Sequence, residues 1–442
     1  MPVEKGGAGH AVPLTGKWIR WTTVQATTAV PNERPVFDPF DPRWSSDPYP
    51  LYAELRERAP VHRNEMGFWV FARHADCLTI LRDRRVSSDG SNIDLDRMPG
   101  GFRPQMSDDP VASAMVAMRP FLFRDPPDHT RLRGLVAKAF TPRVVESLRA
   151  RTHEVVDELL DAALEAGEVD LLEAFAHPLP VRIICDLLGV PIEDQERFRG
   201  WSAALARGLD PDFLLTKEII DQRIDAVGQF AGYFFELLAE RRKNPGDDLL
   251  SRLVQVEEEG SVLNEAELLS TCILLLVAGH ETTVNLIAGG TLALLEHPDQ
   301  LQRFRTDPDV VRSGVEEMLR YVSPVQLTGR SMLEDMEVGG VTLRKGDFAM
   351  LLVASGNHDP DEFEDPEAFD VGRSPNNHLG FGFGIHHCLG APLARMEAQV
   401  ALTSLTQRAP DLALADGKDG KIVYKTNVVL RGMEALPVSM RG

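Results

Sequence analysis

A mainly α-helical domain with small β-sheets at one side, an α+β arrangement, is the fold this sequence predicts. Three observations predict it. Apolar residues recur at spacings of three and four through much of residues 123 to 320. Strand-like runs are short and lie before and after that stretch. No internal repeat, low-complexity tract or linker follows residue 40, so one large domain is expected although length alone favours two or three. Residues 1–35, rich in Gly, Pro and Thr and without period, read as a loosely ordered extension, and 36–442 as the domain.

The elements follow in chain order. "DPYPLYAELRERAP" reads as a first amphipathic helix, and "VHRNEMGFWVFAR" as two short strands around a turn. Residues 86 to 122 carry many Gly, Pro, Met and Asp residues without period and read as a long irregular loop of the kind that is usually functional or disordered. "VVESLRARTHEVVDELLDAALEAG" and "FAGYFFELLAERRKNPG" are helical, stopped by Gly or Pro. Asn264 and Glu267 are placed to cap a helix that runs to about Glu296, about 50 Å at 1.5 Å per residue. Its apolar residues surround it, so it should be buried. "DMEVGGVTLRKGDFAMLLV" reads as a hairpin with a Gly-Gly turn, and "KIVYKTNVVLRGMEALPV" as strands.

Several function classes are disfavoured. The formal charge of -20 gives no basic signal for nucleic acid or anionic membranes. Cys77, Cys185, Cys272 and Cys388 form no CxxC pair, which fits a reducing cytosol. The first three sit in apolar runs as small core residues. The N-terminal residues lack the apolar stretch of a signal peptide, and "LLSTCILLLVAG" is broken by polar residues, so no membrane span is expected. A cytoplasmic location is the expectation.

Cys388 has a different setting, "HLGFGFGIHHCLG". Glycines let the backbone take positive φ and approach a flat ligand. "LGAPLARMEAQVALTSL" opens a helix just after Cys388, with Pro392 in its first turn. Free N–H groups and the dipole there favour a thiolate. A zinc site would need further Cys or His ligands at short spacing, and His386 and His387 cannot easily share one ion with Cys388. A catalytic Cys/His pair is possible but leaves the glycines and Phe381 unexplained. A haem iron takes a single thiolate beside a glycine-lined wall.

"FGFGIHHCLG" resembles the pattern Phe-Gly-x-Gly-x-His/Arg-x-Cys-x-Gly of the cytochrome P-450 haem-thiolate monooxygenases at every fixed position, from Phe381 through His386 and Cys388 to Gly390. The resemblance implies a single large P-450-like domain with a long central helix, haem b (iron protoporphyrin IX) as cofactor and Cys388 as iron ligand. It is similar elsewhere too. "AGHETT" places polar groups inside a helix expected to be buried, where they need partners. By itself it reads equally as a bonded polar patch; by resemblance, Glu281 relays protons, Thr282 steadies dioxygen, and Ala278 and Gly279 leave room. "EEMLR" holds Glu317 and Arg320 at i,i+3, a spacing usually seen in solvated charges. By resemblance they form a structural pair beneath the haem. His129 and Arg133 in "FRDPPDHTRLRGLVAKAF" share a helix face and read otherwise as a charged surface stripe. With Arg330 and His386 they match the family's haem propionate ligands, four donors for two carboxylates.

The implied activity is hydroxylation or epoxidation of an apolar small molecule of terpenoid, steroid, fatty-acyl or polyketide type. Leu274, Val277 and Ala278, with Thr282, share a helix side. By resemblance they line the pocket with the 86–122 loop, Val325, Gln326 and Leu327, and Val428, Val429 and Leu430. No flavin or iron–sulfur module is present, so electrons should come from a separate ferredoxin or flavodoxin. Residues 131 to 151 carry six basic residues and one acidic, so Arg131, Arg133, Lys138 and Arg143 mark a docking face, against the plainer reading of a solvated helix face. A peroxide-driven haem-thiolate enzyme and a non-catalytic haem protein are the alternatives; the presence of both Glu281 and Thr282 argues against each.

Overall fold

Asn264 caps the central helix as its sequence predicts. Its side chain accepts the Glu267 N–H at 3.0 Å, and Glu267 Oε2 accepts the Asn264 N–H at 2.9 Å. The helix runs over Glu265–Glu296, 32 residues, unbroken through "AGHETT". From Glu267 to Leu294 it is buried except at 273–275, Ala278, Gly279 and Thr282, which lie toward one side at its middle. An 18-residue window is long and apolar enough to cross a membrane, but 67% of it is buried within the protein, which makes it a core helix.

The structure is a computed structural model that describes residues 34–97, 119–207, 209–210, 215–258, 261–415 and 422–441. Contacts divide the chain into Met1–Arg34 and Pro35–Gly442. Nearly all of the expected extension lies outside the described residues, as do residues 98–118 of the long loop. The described parts of that loop contain a two-residue strand and 3₁₀ turns at Gly90–Asn92, Leu95–Arg97 and Phe121–Phe123.

Helices Pro178–Leu188, Gln195–Arg207, Val311–Tyr321 and Ala391–Arg408 pack against the central helix. One apolar core joins them. Phe198, Trp201, Phe230, Tyr233 and Phe234 fill the seam between Gln195–Arg207 and Lys217–Lys243, with ring centroids 4.9 to 6.3 Å apart. The helical run after residue 141 forms as two helices, Pro142–Ser147 and Arg149–Ala166, the second ending at Gly167 with φ +82°.

Five strands form the main sheet: β1 (Val61–Arg63), β2 (Trp69–Phe71), β3 (Val86–Ser87), β4 (Thr328–Met332) and β5 (Phe348–Leu351). Their order is β1-β2-β5-β4-β3, with β5 parallel to β2 and the other pairs antiparallel. Register sets Ala349 opposite Arg330 and Ser87 opposite Ser331. Arg330 and the residues just after β3 therefore share one edge region of the sheet. The Gly-Gly hairpin forms between Met336–Val338 and Val341–Leu343, with Gly339 and Gly340 both at positive φ.

The C-terminal segment departs from expectation. Between 422 and 436 it forms isolated bridges, Val325↔Leu430 and Tyr424↔Met433, and a true strand appears only at Pro437–Ser439. Side chains hold it instead: Asp210 accepts the N–H groups of Val428 and Val429 at 2.9 to 3.2 Å.

Candidate active site: a cysteine loop and its cationic cradle

Two residues at left-handed φ turn the chain toward Cys388: Gly382 at +65° and Gly384 at +69°. A Cβ on Gly384 would lie 2.4 Å from the Leu81 carbonyl oxygen, so the loop packs backbone to backbone there. The Cys388 N–H then donates to the Phe381 carbonyl at 2.9 Å, closing the loop. Helix Ala391–Arg408 starts directly after Gly390, with Pro392 in its first turn.

Cys388 is half-buried, whereas Cys77, Cys185 and Cys272 are buried core residues. Burial pushes the Cys388 thiol up; the N–H groups of Gly390 and Ala391 and the charges of Arg133 and Arg395 pull it the other way. The net direction is upward. The amides at the helix start act in the direction expected, and burial opposes them. A metal that displaces the proton completes the balance.

Around the loop, Arg395 brackets Glu316 at 2.6 and 2.8 Å and lies over the Phe381 ring, 4.5 Å from its centroid. Burial raises the Glu316 carboxyl, but His378 and Arg395 outweigh it and hold it at about 2. Glu317 and Arg320 are both fully buried. Arg320 donates to both Glu317 oxygens at 2.8 Å and to the carbonyls of Asn357, Pro366 and Ala368 at 2.9, 2.7 and 3.0 Å. This pair is no surface ion pair; it ties the helix before β4 to the chain that leads into the cysteine loop.

His129, Arg133, Arg330 and His386 converge. The His129 and His386 rings are 4.4 Å apart. Both His129 nitrogens and His386 Nδ1 are buried with no hydrogen-bond partner, while His386 Nε2 meets Ser88 Oγ at 2.7 Å. Burial, then Arg330, His129 and Arg133, hold His386 down at about 3. Burial lowers His129 too and brings Arg330 to about 10, so the four amount to two cations and two neutral imidazoles rather than four cations. Asp125 is the carboxylate that acts on Arg330 and His129, and it already accepts from Ser87 and Asn92. The buried Arg330, the half-buried Arg133 and the unbonded imidazole nitrogens of His129 and His386 suit an anionic group. The two propionates of haem b supply that, and the half-buried Cys388 nearby supplies an axial sulfur. The residues present fit the group.

On the central helix, Thr282 Oγ1 donates to the Ala278 carbonyl at 2.7 Å and Thr283 Oγ1 to that of Gly279 at 3.1 Å. Ala278 is exposed and Thr282 half-buried at the middle of an otherwise buried helix. Glu281 is buried and turned away, its Oε1 bonded to Lys425 Nζ at 2.6 Å. Burial pushes this carboxyl up, but the Lys425 ammonium outweighs it and holds the group below its ordinary range. Lys425, 144 residues distant, carried no sequence signal. Among the pocket residues, Val277 is buried and Leu274 half-buried. The Gln326 N–H donates to the Val429 carbonyl at 2.8 Å, which sets the segments of Val325 and of Val428 and Val429 side by side. The Gln326 side chain is a correction: it is buried between Tyr52 and Ser323 at 3.0 and 2.7 Å and is not free to line a pocket. Leu327 packs with Val428 and Val429 in the core beside the sheet.

The basic face is smaller than its sequence implies. Arg131 is paired with Glu267, and Arg133 donates to the His387 carbonyl at 2.5 Å. Lys138 and Arg143 are exposed.

A long buried helix with a polar break at its middle, and a glycine-turned cysteine loop flanked by His129, Arg133, Arg330 and His386, together define a haem-thiolate protein. The family model for cytochrome P450 matches residues 108–431, and the chain belongs to that family. It is 42% identical over 430 residues to the cytochrome P450 monooxygenase PikC of Streptomyces venezuelae, covering 95% of this chain and 97% of that one. The Bacillus subtilis polyketide synthase cytochrome P450 PksS has a solved structure that matches with a TM-score of 0.83 at 39% identity, covering 92% of this chain and 100% of that one. P450BioI, solved with an acyl carrier protein carrying hexadec-9Z-enoic acid, matches with a TM-score of 0.80 at 38% identity, covering 89% and 97%. The chain is a haem-thiolate monooxygenase with haem b as cofactor, acting on a small molecule with dioxygen and a redox partner.

Proposed function

We propose that this monooxygenase oxidises a polyketide-type or acyl-chain substrate at an aliphatic carbon, with Cys388 as the iron ligand. The observation that carries the ligand assignment is the loop in which Cys388 N–H meets Phe381 O between two left-handed glycines. The substrate class is supported by the aliphatic strip of Leu274, Val277 and Ala278 beside Val325, Val428 and Val429, and by the relatives PksS and P450BioI.

Haem, when bound, supplies activation of dioxygen and transfer of one oxygen atom into a C–H or C=C bond, the other leaving as water with two electrons and two protons. The chain's own residues do the rest. His129, Arg133, Arg330 and His386 hold the propionates. Arg395 packs Phe381 against the loop, and Glu317 with Arg320 fixes the chain that leads into it. Thr282 offers a hydroxyl beside Ala278 on the open side of the helix. Glu281, ionised and held by Lys425, moves protons toward Thr282 from the side where it borders a cavity of about 260 Å³. Aliphatic walls orient the substrate and exclude water.

Lys138 and Arg143 form the docking face for an acidic ferredoxin or flavodoxin in the cytoplasm. Reversing both charges should slow reduction and flatten its dependence on salt. Unchanged rates would remove the patch from the account. The ligand assignment is tested by the reduced carbon monoxide spectrum: a strongly red-shifted Soret band in the wild type, lost in Cys388→Ala. The substrate class is tested by turnover with a surrogate ferredoxin system of a macrolactone and an acyl-carrier-bound fatty acid, set against a steroid and a terpene. Oxidation of the last two alone would overturn it.

A further inference from the structure

On the side of the central helix away from Ala278, three buried polar atoms face one another without partners. They are His177 Nδ1, His280 Nε2 and Glu281 Oε2. One ligand-capable atom from each of the three residues lies within 4.8 Å of the other two. The residues are 9%, 0% and 4% exposed. Each such atom costs about 1–3 kcal/mol if left unsatisfied, so something is expected to bind among them.

The donor set narrows what that is. Two imidazoles and one carboxylate oxygen are the ligands of a first-row divalent ion that keeps an open position. His280 has its other nitrogen 2.7 Å from Ser202 Oγ, which fixes the ring and leaves Nε2 aimed at the group, as outer partners do for metal-bound histidines. His177 follows a π-helical turn at Leu172–Ala176, a local widening that sets its ring toward the central helix, 5.7 Å from that of His280. Glu281 uses one oxygen for Lys425 and has the other free. Of the three residues only Glu281 borders the neighbouring cavity of about 260 Å³, whose wall also carries Arg207, Lys425 and Glu434.

Lys425 opposes binding. Its ammonium neutralises the carboxylate that an ion would use. Its side chain is 28% exposed at the cavity, so it can turn outward. We propose that His177, His280 and Glu281 form a binding site for a zinc-type divalent ion, for which the ion and the Lys425 ammonium compete. The effect on turnover rests on the proton role proposed above for Glu281: an ion that holds this carboxylate slows the reaction. The binding itself does not rest on it.

The test uses the full haem-loaded chain, stripped with a chelator and then given zinc chloride alone. After desalting, one zinc per chain should remain, with two imidazole nitrogens at about 2.0–2.1 Å in zinc-edge X-ray absorption. His177→Gln and His280→Asn should each weaken binding on the order of 100-fold, more than loss of an outer partner costs. Lys425→Met should tighten it about tenfold by removing the competing charge. The absorption spectrum of the wild type needs no variant to fold. Absence of stoichiometric zinc, a sulfur ligand in the spectrum, unchanged binding in both histidine variants, or weaker binding in Lys425→Met would each overturn the site. Stoichiometric zinc with undiminished turnover would leave the site standing and remove Glu281 from proton transfer instead.

Discussion

Arg320→Leu should be the most damaging single change outside the cysteine loop. The guanidinium makes five hydrogen bonds, two to Glu317 and one each to the carbonyls of Asn357, Pro366 and Ala368, with no exposed side-chain surface. Removing one partner of a buried pair costs about 3–5 kcal/mol because the other charge stays buried. Glu317 would keep Arg373, the Asp370 N–H and Asn376 as donors, each at 3.1 Å, which softens that loss. Three carbonyls would lose their donor as well, at about 1–3 kcal/mol each where no water replaces it. These costs overlap, and a net loss of about 5 kcal/mol is expected, close to the whole stability of many domains at about 5–15 kcal/mol. Arg320→Lys keeps the charge but cannot reach both Glu317 oxygens and three carbonyls, so about 2–3 kcal/mol is expected. The assay is urea unfolding followed together by far-ultraviolet circular dichroism and Soret absorbance. Leu should lose haem first and unfold at the lowest urea, with Lys between it and the wild type. A Leu variant within about 1 kcal/mol of wild type would refute the reasoning, because the buried network would then carry no net stability.

Gly384→Ala should purify with little haem, since the new Cβ meets the Leu81 carbonyl at 2.4 Å and φ is +69°; a normal haem-to-protein ratio would contradict the tight loop. Thr282→Ala should keep the substrate-induced Soret shift but form less product per dioxygen consumed, measured with an oxygen electrode and product assay; full coupling would exclude the hydroxyl from the reaction. Glu397 is 1% exposed with one oxygen unbonded, and burial alone raises its carboxyl well above the ordinary value. Its folded value thus exceeds its unfolded one. Its contribution is intact below about pH 4.3 and is lost as pH rises toward the folded value. Glu397→Gln should therefore gain stability relative to wild type as pH rises above about 4.3, read as urea midpoints, and a constant difference would contradict the burial argument.

What could be read in advance was local. The Asn264–Glu267 cap, the Gly-Gly hairpin and the cysteine loop are each written within a few adjacent residues, and each forms as written. The partners that decide charge are not local. Lys425 reaches Glu281 from 144 residues away, and Glu267 removes Arg131 from the basic face across 136. No spacing rule connects such positions. His177 was invisible for the same reason, although the π turn before it is a change of helical step that periodicity averages out. The C-terminal segment looked like strands because alternation describes a residue's two faces, not whether a neighbour offers a ladder; Asp210 takes the N–H groups a partner strand would have used. The family resemblance puts Gln326 in the pocket, but its amide has partners in Tyr52 and Ser323.

Ser88 and His386 meet across 298 residues of chain. The cradle draws on residues near 130, on Arg330 and on His386, and the sulfur comes two residues later. A ribosome must therefore have passed residue 388 before the cofactor can be fully captured. Until then the nascent protein holds buried-to-be cations with nothing to neutralise them, and contacts this distant form slowly. Haem supply once the cysteine loop has emerged should therefore bear on how much of the enzyme folds with its cofactor.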